Sequence, residues 1–284
     1  MKMMSGETLR DLFREIAADR VSGSATVLKN IVSTLKRYLQ TNPAPNYSML
    51  EDQMALMSVV FDRFAVLRHF LNSFIHLINK RAPLPELLTF VRSYSREWDK
   101  APIHAATHLL NDMDFRDKRV MLFSNSSSLH ALIELLAERS VPVDFIQCHS
   151  FPTGEGKHQA KKLVDMGFKV TFIADAAIPL FMAQTDIAVI GADLIYNDCI
   201  LNKTGSLGLA LAAQYFKKPL YVLSDSRKIE IDNNVPDLDT AREGQLLWRS
   251  APEGVTPINV YFERVARSLV TDIYLETGQW ANNS

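Results

Sequence analysis

Two short polar segments of the sequence carry side chains suited to binding a phosphate group. Residues 124–128 are Ser-Asn-Ser-Ser-Ser, and residues 202–206 are Asn-Lys-Thr-Gly-Ser. Each segment leads into a predicted helix, where free backbone N–H groups and the positive end of the helix dipole favour an anion. Lys203 adds a positive charge, and Gly205 allows close approach to the backbone. The candidate ligand-binding residues are Asn125, Ser126, Ser127, Asn202, Lys203, Gly205 and Ser206.

Simpler explanations of the same residues stay open. A serine cluster before a helix is also a common N-cap, and a lysine and a glycine can meet at a helix start by chance. Neither segment matches the GxxxxGK[ST] loop of nucleoside-triphosphate sites or the GxGxxG turn of dinucleotide sites. The sequence therefore disfavours those ligands, predicts no cofactor, and leaves one or two phosphates of a small molecule as the expected ligand groups.

Asp193 is the candidate residue for proton transfer. It follows Gly191 and Ala192 directly after a predicted buried strand, Ile187–Ile190. Burial raises the pKa of a carboxyl group and so brings it closer to the range useful for acid/base chemistry. The alternative is that Asp193 only caps a turn.

The positions of these residues depend on an α/β domain predicted for residues 113–284. After Arg116, short apolar runs alternate with helix-length amphipathic segments, which is typical of repeated βα units. The predicted strands are Val120–Phe123, Val143–Gln147, Lys169–Ile173, Ile187–Ile190 and Leu220–Leu223. They are apolar on both faces, which indicates parallel strands covered by helices on both sides. The prediction is a Rossmann-like doubly wound parallel sheet, which binds ligands beyond the carboxyl ends of its strands, with a final helix over Ser268–Glu276.

Residues 1–112 are predicted to form a helical domain. Apolar residues recur at helical spacing over about residues 7–111, which indicates four or five helices and no strand. One apolar stripe spans residues 50–78. Its helix is predicted to begin with a capping box formed by Ser48 and Glu51.

Composition argues against several classes of function. The 31 basic and 32 acidic residues nearly cancel, so no overall field favours nucleic acid or an acidic membrane surface. The start of the chain has no signal-type apolar core, and no apolar run approaches the length needed to cross a bilayer. Cys148 and Cys199 are too few for a disulfide framework or a cysteine metal site. We expect a cytoplasmic protein with no metal, membrane or direct nucleic-acid partner.

The order of the motifs resembles one protein superfamily. The motifs are Phe123-Ser124-Asn125-Ser126-Ser127, Ser150-Phe151-Pro152 with Gly156, Asp175-Ala176-Ala177 with Met182, Gly191-Ala192-Asp193, the segment 202–206, and Tyr261-Phe262-Glu263. Over about residues 20–278 they are similar to the translation initiation factor 2B alpha, beta and delta subunits. That superfamily includes ribose-1,5-bisphosphate isomerase and methylthioribose-1-phosphate isomerase. The resemblance implies a helical domain on a Rossmann-like domain, a homodimer or higher homo-oligomer, and a pocket for a sugar phosphate or nucleoside monophosphate.

The resemblance also implies roles for further residues. Residues 19–24 resemble the N-terminal ligand loop of the superfamily, which implies ligand contacts from Arg20, Ser22 and Gly23. The isomerases move hydrogen between C1 and C2 of an aldose 1-phosphate with a cysteine and an aspartate as acid/base pair. Asp193 matches the aspartate, whereas Ser124 stands at the cysteine position.

Two departures from the superfamily pattern bear on catalysis. A serine hydroxyl gives up its proton far less readily than a thiol, and no base adjacent to Ser124 is visible in the sequence. Phe151 stands where the superfamily usually has arginine, which removes a bidentate phosphate partner. In contrast, Asn125-Ser126-Ser127 is closer to the ribose-bisphosphate isomerases than to the initiation-factor subunits.

Three functional hypotheses follow. The leading one is a non-catalytic sensor or regulatory subunit that binds a sugar phosphate or nucleoside monophosphate and has a translation-factor partner. The second is a divergent aldose-to-ketose isomerase in which Asp193 is the acid/base and Ser124, or a water beside it, replaces the thiol. The third is a structural scaffold whose pocket has decayed. The sequence leaves open whether the chain is an enzyme.

Overall fold

A computed structural model describes residues 5–19, 24–62, 64–230, 244 and 247–281. The chain divides into two units, one ending at Lys100 and the other beginning at Ala101. Across the described ranges, none of the helices combines the length and the apolar character that a membrane span requires.

The described part of the first unit is built from helices. They are α1 (Gly6–Ala18), α2 (Ser24–Thr41), α3 (Tyr47–Val60), α4 (Ala65–Asn79) and α5 (Leu84–Trp98). Their apolar stripes meet in one core, which includes stacked rings of Phe70, Phe74 and Phe90 with centroids 5.6–5.9 Å apart. Burial of these stripes explains why the helical periodicity is so regular here.

The apolar stripe over residues 50–78 forms two helices, so the prediction of a single helix is wrong. The chain leaves the α3 conformation at Phe61 and re-enters a helix at Ala65. Periodicity did not reveal this break because both helices turn their apolar faces to the same core. The capping box is also wrong: the N-cap is Asn46, whose side chain accepts a hydrogen bond of 3.0 Å from Met49 N, and Ser48 lies within the first turn.

The second unit contains the α/β domain. Its helices are α6 (Ala101–Asp112), α7 (Ser127–Glu138), α8 (Gly156–Asp165), α9 (Ile178–Met182) and α10 (Ser206–Tyr215). Its strands are β1 (Lys118–Phe123), β2 (Val143–Cys148), β3 (Lys169–Ile173), β4 (Ile187–Gly191), β5 (Leu194–Ile195), β6 (Cys199–Lys203), β7 (Leu220–Leu223), β8 (Phe262–Ala266), β9 (Asp272–Leu275) and β10 (Gly278–Gln279).

The predicted doubly wound sheet is confirmed. Seven strands pair in the order β10-β9-β7-β4-β1-β2-β3, all parallel except β10. Val120 and Leu122 of β1 enter one apolar cluster, whereas Met121 and Phe123 enter another, so the strand is buried on both faces. Three strands that follow β4 in the sequence form a separate small antiparallel sheet, in the order β5-β6-β8.

The sheet contains a topological switch point between β1 and β4. From β1 the chain adds β2 and β3 on one side, and then crosses to β4 on the other side. The connections that follow β1 and β4 therefore lead away from each other, and a crevice opens at the carboxyl ends of these two strands. The segments after Phe123 and after Gly191 lie at this crevice.

The first and last elements of the second unit need separate description. Helix α6, its first helix, packs against α7 and β9. The final helix predicted for Ser268–Glu276 is wrong, because this segment contains a short 3-10 turn and then β9, which pairs in parallel with β7. A short apolar run such as Asp272–Leu275 does not distinguish a buried strand from a helix by periodicity.

The Asn46 cap yields a stability prediction. Asn46→Ala should lower the free energy of unfolding by about 1 kcal/mol, because it removes an N-cap acceptor. Ser48→Ala, two residues later, is the matched control and should change stability by at most a few tenths of a kcal/mol, as expected for a non-capping helical position. Urea denaturation followed by far-UV circular dichroism measures both. Equal losses in the two variants, or a larger loss for Ser48→Ala, would restore the capping box.

Candidate functional site

Ser124 lies at the carboxyl end of β1 in a constrained conformation. Its φ is +69°, in the left-handed region that a non-glycine residue rarely adopts. Its backbone N–H donates a hydrogen bond of 2.8 Å to Ser150 Oγ, which lies beyond the end of the neighbouring β2. Such backbone outliers concentrate at functional sites. The sequence could not indicate this conformation, because Ser124 itself carries no turn signal.

Some of the residues after Ser124 form the start of α7. The Ser126 side chain accepts a hydrogen bond of 3.2 Å from Leu129 N, so it is the N-cap of α7. Asn125 Oδ1 contacts His130 Nε2, and Ser127 is exposed in the first turn. A Cβ on Gly191 would lie 3.0 Å from Ser126 Oγ. The glycine therefore lets the end of β4 approach the start of α7 closely.

Ser124 has a hydrogen-bond partner in Glu155, which sequence reasoning missed. The Ser124 hydroxyl donates to Glu155 Oε1. Glu155 Oε2 accepts from Thr153 Oγ1 at 3.0 Å and from Lys203 Nζ at 3.3 Å. Lys203 Nζ also donates to Thr153 Oγ1 at 2.9 Å and lies 5.1 Å from the ring centroid of Tyr261. These five side chains form a group that we name the Glu155 cluster.

The loop after β2 holds Glu155 in this position. A Cβ on Gly156 would lie 1.9 Å from the carbonyl oxygen of Cys148, so only glycine allows the loop to turn back onto the strand end. The Asp175 carboxylate accepts hydrogen bonds from Ser150 N at 2.8 Å and from Phe151 N at 2.7 Å. The glycines on both sides of Glu155 were the available sequence signal, because they marked a tight loop at a strand end.

Asp193 lies in the turn between β4 and β5, at the predicted crevice. Burial raises its pKa, and the nearby Glu155 raises it further, whereas Lys228 and Lys203 lower it without cancelling the effect of burial. Lys228 Nζ donates a hydrogen bond of 2.7 Å to the carbonyl oxygen of Ala192, the residue before Asp193. The carboxyl group therefore keeps its proton to a higher pH than an exposed aspartate does.

The positive end of α10 is occupied by a carboxylate of the chain itself. Glu263 Oε1, on β8, accepts hydrogen bonds from Gly205 N at 2.6 Å and from Leu207 N at 2.7 Å. Gly205 has a φ of +108°, and a Cβ there would lie 2.4 Å from the Phe123 ring. An external anion could use the N–H of Gly205 only by displacing Glu263.

Asn202 and Ser206 face each other inside the protein. Asn202 Nδ2 donates to Ser206 Oγ at 2.9 Å, and Ser206 Oγ donates to the Lys203 carbonyl oxygen at 2.6 Å. Both residues are buried. They fix the backbone that carries Lys203, and their side chains are already hydrogen-bonded.

Three predicted ligand contacts and one cysteine outside the predicted site remain to be placed. Arg20, Ser22 and Gly23 lie outside the described residues. Cys148 is fully buried at the end of β2, and burial together with nearby Asp175 raises its pKa, so it does not replace the thiol missing at Ser124.

The chain and its motifs match one family model. Residues 9–282 match the initiation factor 2 subunit family. The chain belongs to this family. The resemblance inferred from the motifs is thereby confirmed over nearly the whole sequence.

Two proteins with different names and one solved structure are similar to this chain. A translation initiation factor eIF-2B subunit 2-like protein of Pyrococcus horikoshii is 28% identical over 281 residues, 97% of each chain. A ribose 1,5-bisphosphate isomerase of Archaeoglobus fulgidus is 31% identical over 165 residues, which are 56% of this chain and 52% of the isomerase. The crystal structure of the Pyrococcus horikoshii translation initiation factor eIF-2B has a TM-score of 0.80, with 24% identity over 96% of each chain, and confirms the fold.

The raised pKa of Asp193 yields a prediction about stability and pH. An unfolded aspartate ionises near pH 4, whereas folded Asp193 resists ionisation, so the folded state loses stability as pH rises from that value through the folded pKa. The Asp193→Asn variant does not lose stability in this way, because an asparagine side chain does not ionise. Its stability advantage over the wild type should grow with pH, by up to about 1.4 kcal/mol per pH unit, and level off above the folded pKa.

Urea denaturation between pH 4 and pH 8 measures this difference. Asp165→Asn, at an exposed position of α8, is the control for exchanging a carboxylate for an amide. An advantage of Asp193→Asn that stays constant across the pH range would show that Asp193 ionises as easily in the folded chain as in the unfolded one.

Proposed function

We propose that this family member binds a phosphorylated sugar or nucleoside monophosphate at the carboxyl ends of β1 and β4, and acts as a ligand-sensing regulatory protein. The observation that carries the proposal is the charge gathered at the topological switch point. Lys203, only 6% exposed, lies beside Glu155, and Lys228 and Asp193 lie next to them. Burying charges is costly, and such groupings are typical of functional sites.

Contacts within the site favour one position for the phosphate. Because Glu263 occupies the start of α10, we assign the phosphate to the start of α7, where Ser127 is exposed and the helix dipole favours an anion. The Lys203 ammonium is the cation of the Glu155 cluster, and a ligand phosphate can accept a further hydrogen bond from it beside Thr153 and Glu155. Asp193, which keeps its proton readily, is suited to donate a hydrogen bond to a sugar oxygen.

The names of the relatives support a sugar phosphate as the ligand class. One relative is named as a ribose 1,5-bisphosphate isomerase. The segment Asn125-Ser126-Ser127 is closer to such isomerases than to the initiation-factor subunits. Another is named as an initiation-factor subunit and covers 97% of the chain, which supports a regulatory role with a translation-factor partner.

Isomerisation of an aldose 1-phosphate is the second candidate function. The observation that favours it is the contact between the Ser124 hydroxyl and the Glu155 carboxylate, because a hydroxyl needs an adjacent base to take part in proton transfer. Asp193 would be the acid/base partner on the other side of the crevice. A scaffold with a decayed pocket is the outcome if no ligand binds.

One face of α10 supports a homodimer. Leu211 and Tyr215 lie four residues apart on this helix, and they are 50% and 81% exposed. Gly208 lies on the same face, and a Cβ there would meet no described atom within 4 Å outside its chain neighbours and the backbone of its own helix. A helical glycine costs about 1 kcal/mol relative to alanine, a cost that close packing against a second subunit would offset.

Ligand binding is tested with ribose 1,5-bisphosphate, methylthioribose 1-phosphate, hexose phosphates and nucleoside monophosphates, by thermal stabilisation and phosphorus NMR. We expect at least one of them to bind. Lys203→Met should weaken that binding about 10- to 100-fold, since a hydrogen bond to a charged group contributes about 1.5–3 kcal/mol. Lys162→Met, at a lysine that pairs with Glu134 on the surface, is the control and should bind normally. Absence of binding by every compound would leave the scaffold hypothesis.

Oligomeric state is tested by analytical ultracentrifugation of the wild type and of Leu211→Glu. The wild type should sediment as a dimer or a larger assembly. Leu211→Glu should shift it toward monomer, because the change places a charge in an apolar contact. Glu138→Gln, on α7, is a control for surface changes in general. A wild-type protein that stays monomeric at high concentration would contradict the proposed dimer.

A further inference from the structure

We infer that Glu155 is the terminal proton acceptor of the site and takes the hydroxyl proton of a bound aldose 1-phosphate through Ser124. This inference rests on the second function proposed above, isomerisation at the strand ends. In this step a serine and a glutamate together accept the proton that would otherwise need a thiol. The side chain that receives the proton is 31 residues away from Ser124 in the sequence.

The geometry of the pair supports a proton path. The Ser124 hydroxyl points at Glu155 Oε1, while the other carboxylate oxygen is held by Lys203 and Thr153. One oxygen of Glu155 is thereby reserved for Ser124. The backbone of Ser124 is fixed by its left-handed conformation and by the hydrogen bond from its N–H to Ser150. Donor and acceptor are thus arranged before any ligand arrives, as efficient proton transfer requires.

The two carboxyl groups of the site lie in contrasting environments. Glu155 receives hydrogen bonds from an ammonium and two hydroxyls. The carboxyl group of Asp193 is desolvated by the surrounding protein, which favours its protonated form. Pairs of titratable groups with opposed environments identify the base and the acid of a site. This contrast assigns the base to Glu155 and the acid to Asp193.

The proposed step balances in protons and electrons. The proton on the sugar O2 passes to Ser124 Oγ as the proton of Ser124 passes to Glu155. The O2–H electron pair forms the C2=O bond, and the hydrogen on C2 moves with its bonding electrons to C1. The bond between C1 and the ring oxygen breaks, and the ring oxygen takes the proton of Asp193. The products are a ketose 1-phosphate, protonated Glu155 and ionised Asp193. Proton exchange with water then resets both groups.

A purely structural role for Glu155 makes different predictions. As a counter-ion of Lys203 alone, Glu155 would need no contact with Ser124, and its loss would act through the Lys203 side chain. Glu155→Gln would then weaken ligand binding, and the chemical nature of residue 124 would not alter the effect. A variant at position 124 that accepts the proton without help separates the two roles.

The test measures both binding and turnover of ribose 1,5-bisphosphate by phosphorus NMR. The wild type should convert it. Glu155→Gln should slow turnover at least about 100-fold, the usual contribution of a general base, with binding changed less than about threefold. Ser124→Cys in the Glu155→Gln background should recover at least about tenfold in rate, since a thiol ionises near pH 8.5 and accepts the proton itself. Glu134→Gln, which breaks a surface ion pair with Lys162, is the control and should leave turnover unchanged.

Ser124→Ala provides a second variant if Glu155→Gln does not fold. It removes only the relay hydroxyl and should also slow turnover at least about 100-fold. Wild-type turnover in Ser124→Ala or Glu155→Gln would overturn the inference, as would failure of Ser124→Cys to restore any rate. Binding by the wild type without conversion would overturn it while leaving the ligand-sensing function intact. Absence of binding would overturn the proposed function and this inference together.

Discussion

Burial of the Lys203 ammonium at the carboxyl edge of the sheet is the constraint on which the site depends. A lysine that is 6% exposed needs a negative partner within reach, because an unpaired buried charge is strongly destabilising. Glu155 provides that partner from the loop after β2. The loop approaches closely enough only because Gly156 has no side chain and because Asp175 holds the backbone of Ser150 and Phe151. The pairing of one charge therefore determines the course of a whole connection.

The same pairing brings Glu155 to Ser124 and places two carboxyl groups in one site. Glu155 is surrounded by donors, whereas the carboxyl group of Asp193 is desolvated and follows a backbone carbonyl held by Lys228. Two groups of one chemical type thus lie in contrasting environments. This division is independent of whether the ligand is sensed or converted, since a neutral Asp193 can also donate a hydrogen bond to a sugar oxygen. The site is consequently compatible with both branches of the family.

A carboxylate of the chain itself occupies one of the two helix starts that the sequence suggested for an anion. Glu263 satisfies the start of α10 in the way a bound phosphate would, and the antiparallel pairing of β6 with β8 brings it there. The start of α7 carries no such carboxylate among the contacts of Ser126 and Ser127 that the structure describes. Two helix ends that look equivalent in the sequence therefore differ in their surroundings, because Glu263, from a strand in a distant part of the chain, accepts hydrogen bonds at one of them.

Local sequence determined the elements and the edge of the sheet at which the candidate site lies. Each of the five predicted strands is present. In β1, β2, β4 and β7 burial requires apolar residues, whereas β3 lies at the edge of the sheet with Thr171 and Phe172 exposed. Asp193 lies at the crevice because it follows the buried strand β4. The predicted final helix failed because a short apolar run fits a strand equally well. Only the tertiary structure decided that Glu155 contacts Ser124, across 31 residues, and that Glu263 contacts Gly205, across 58 residues. Periodicity records which face of an element is buried, whereas such contacts depend on how loops close between elements, which no local pattern encodes.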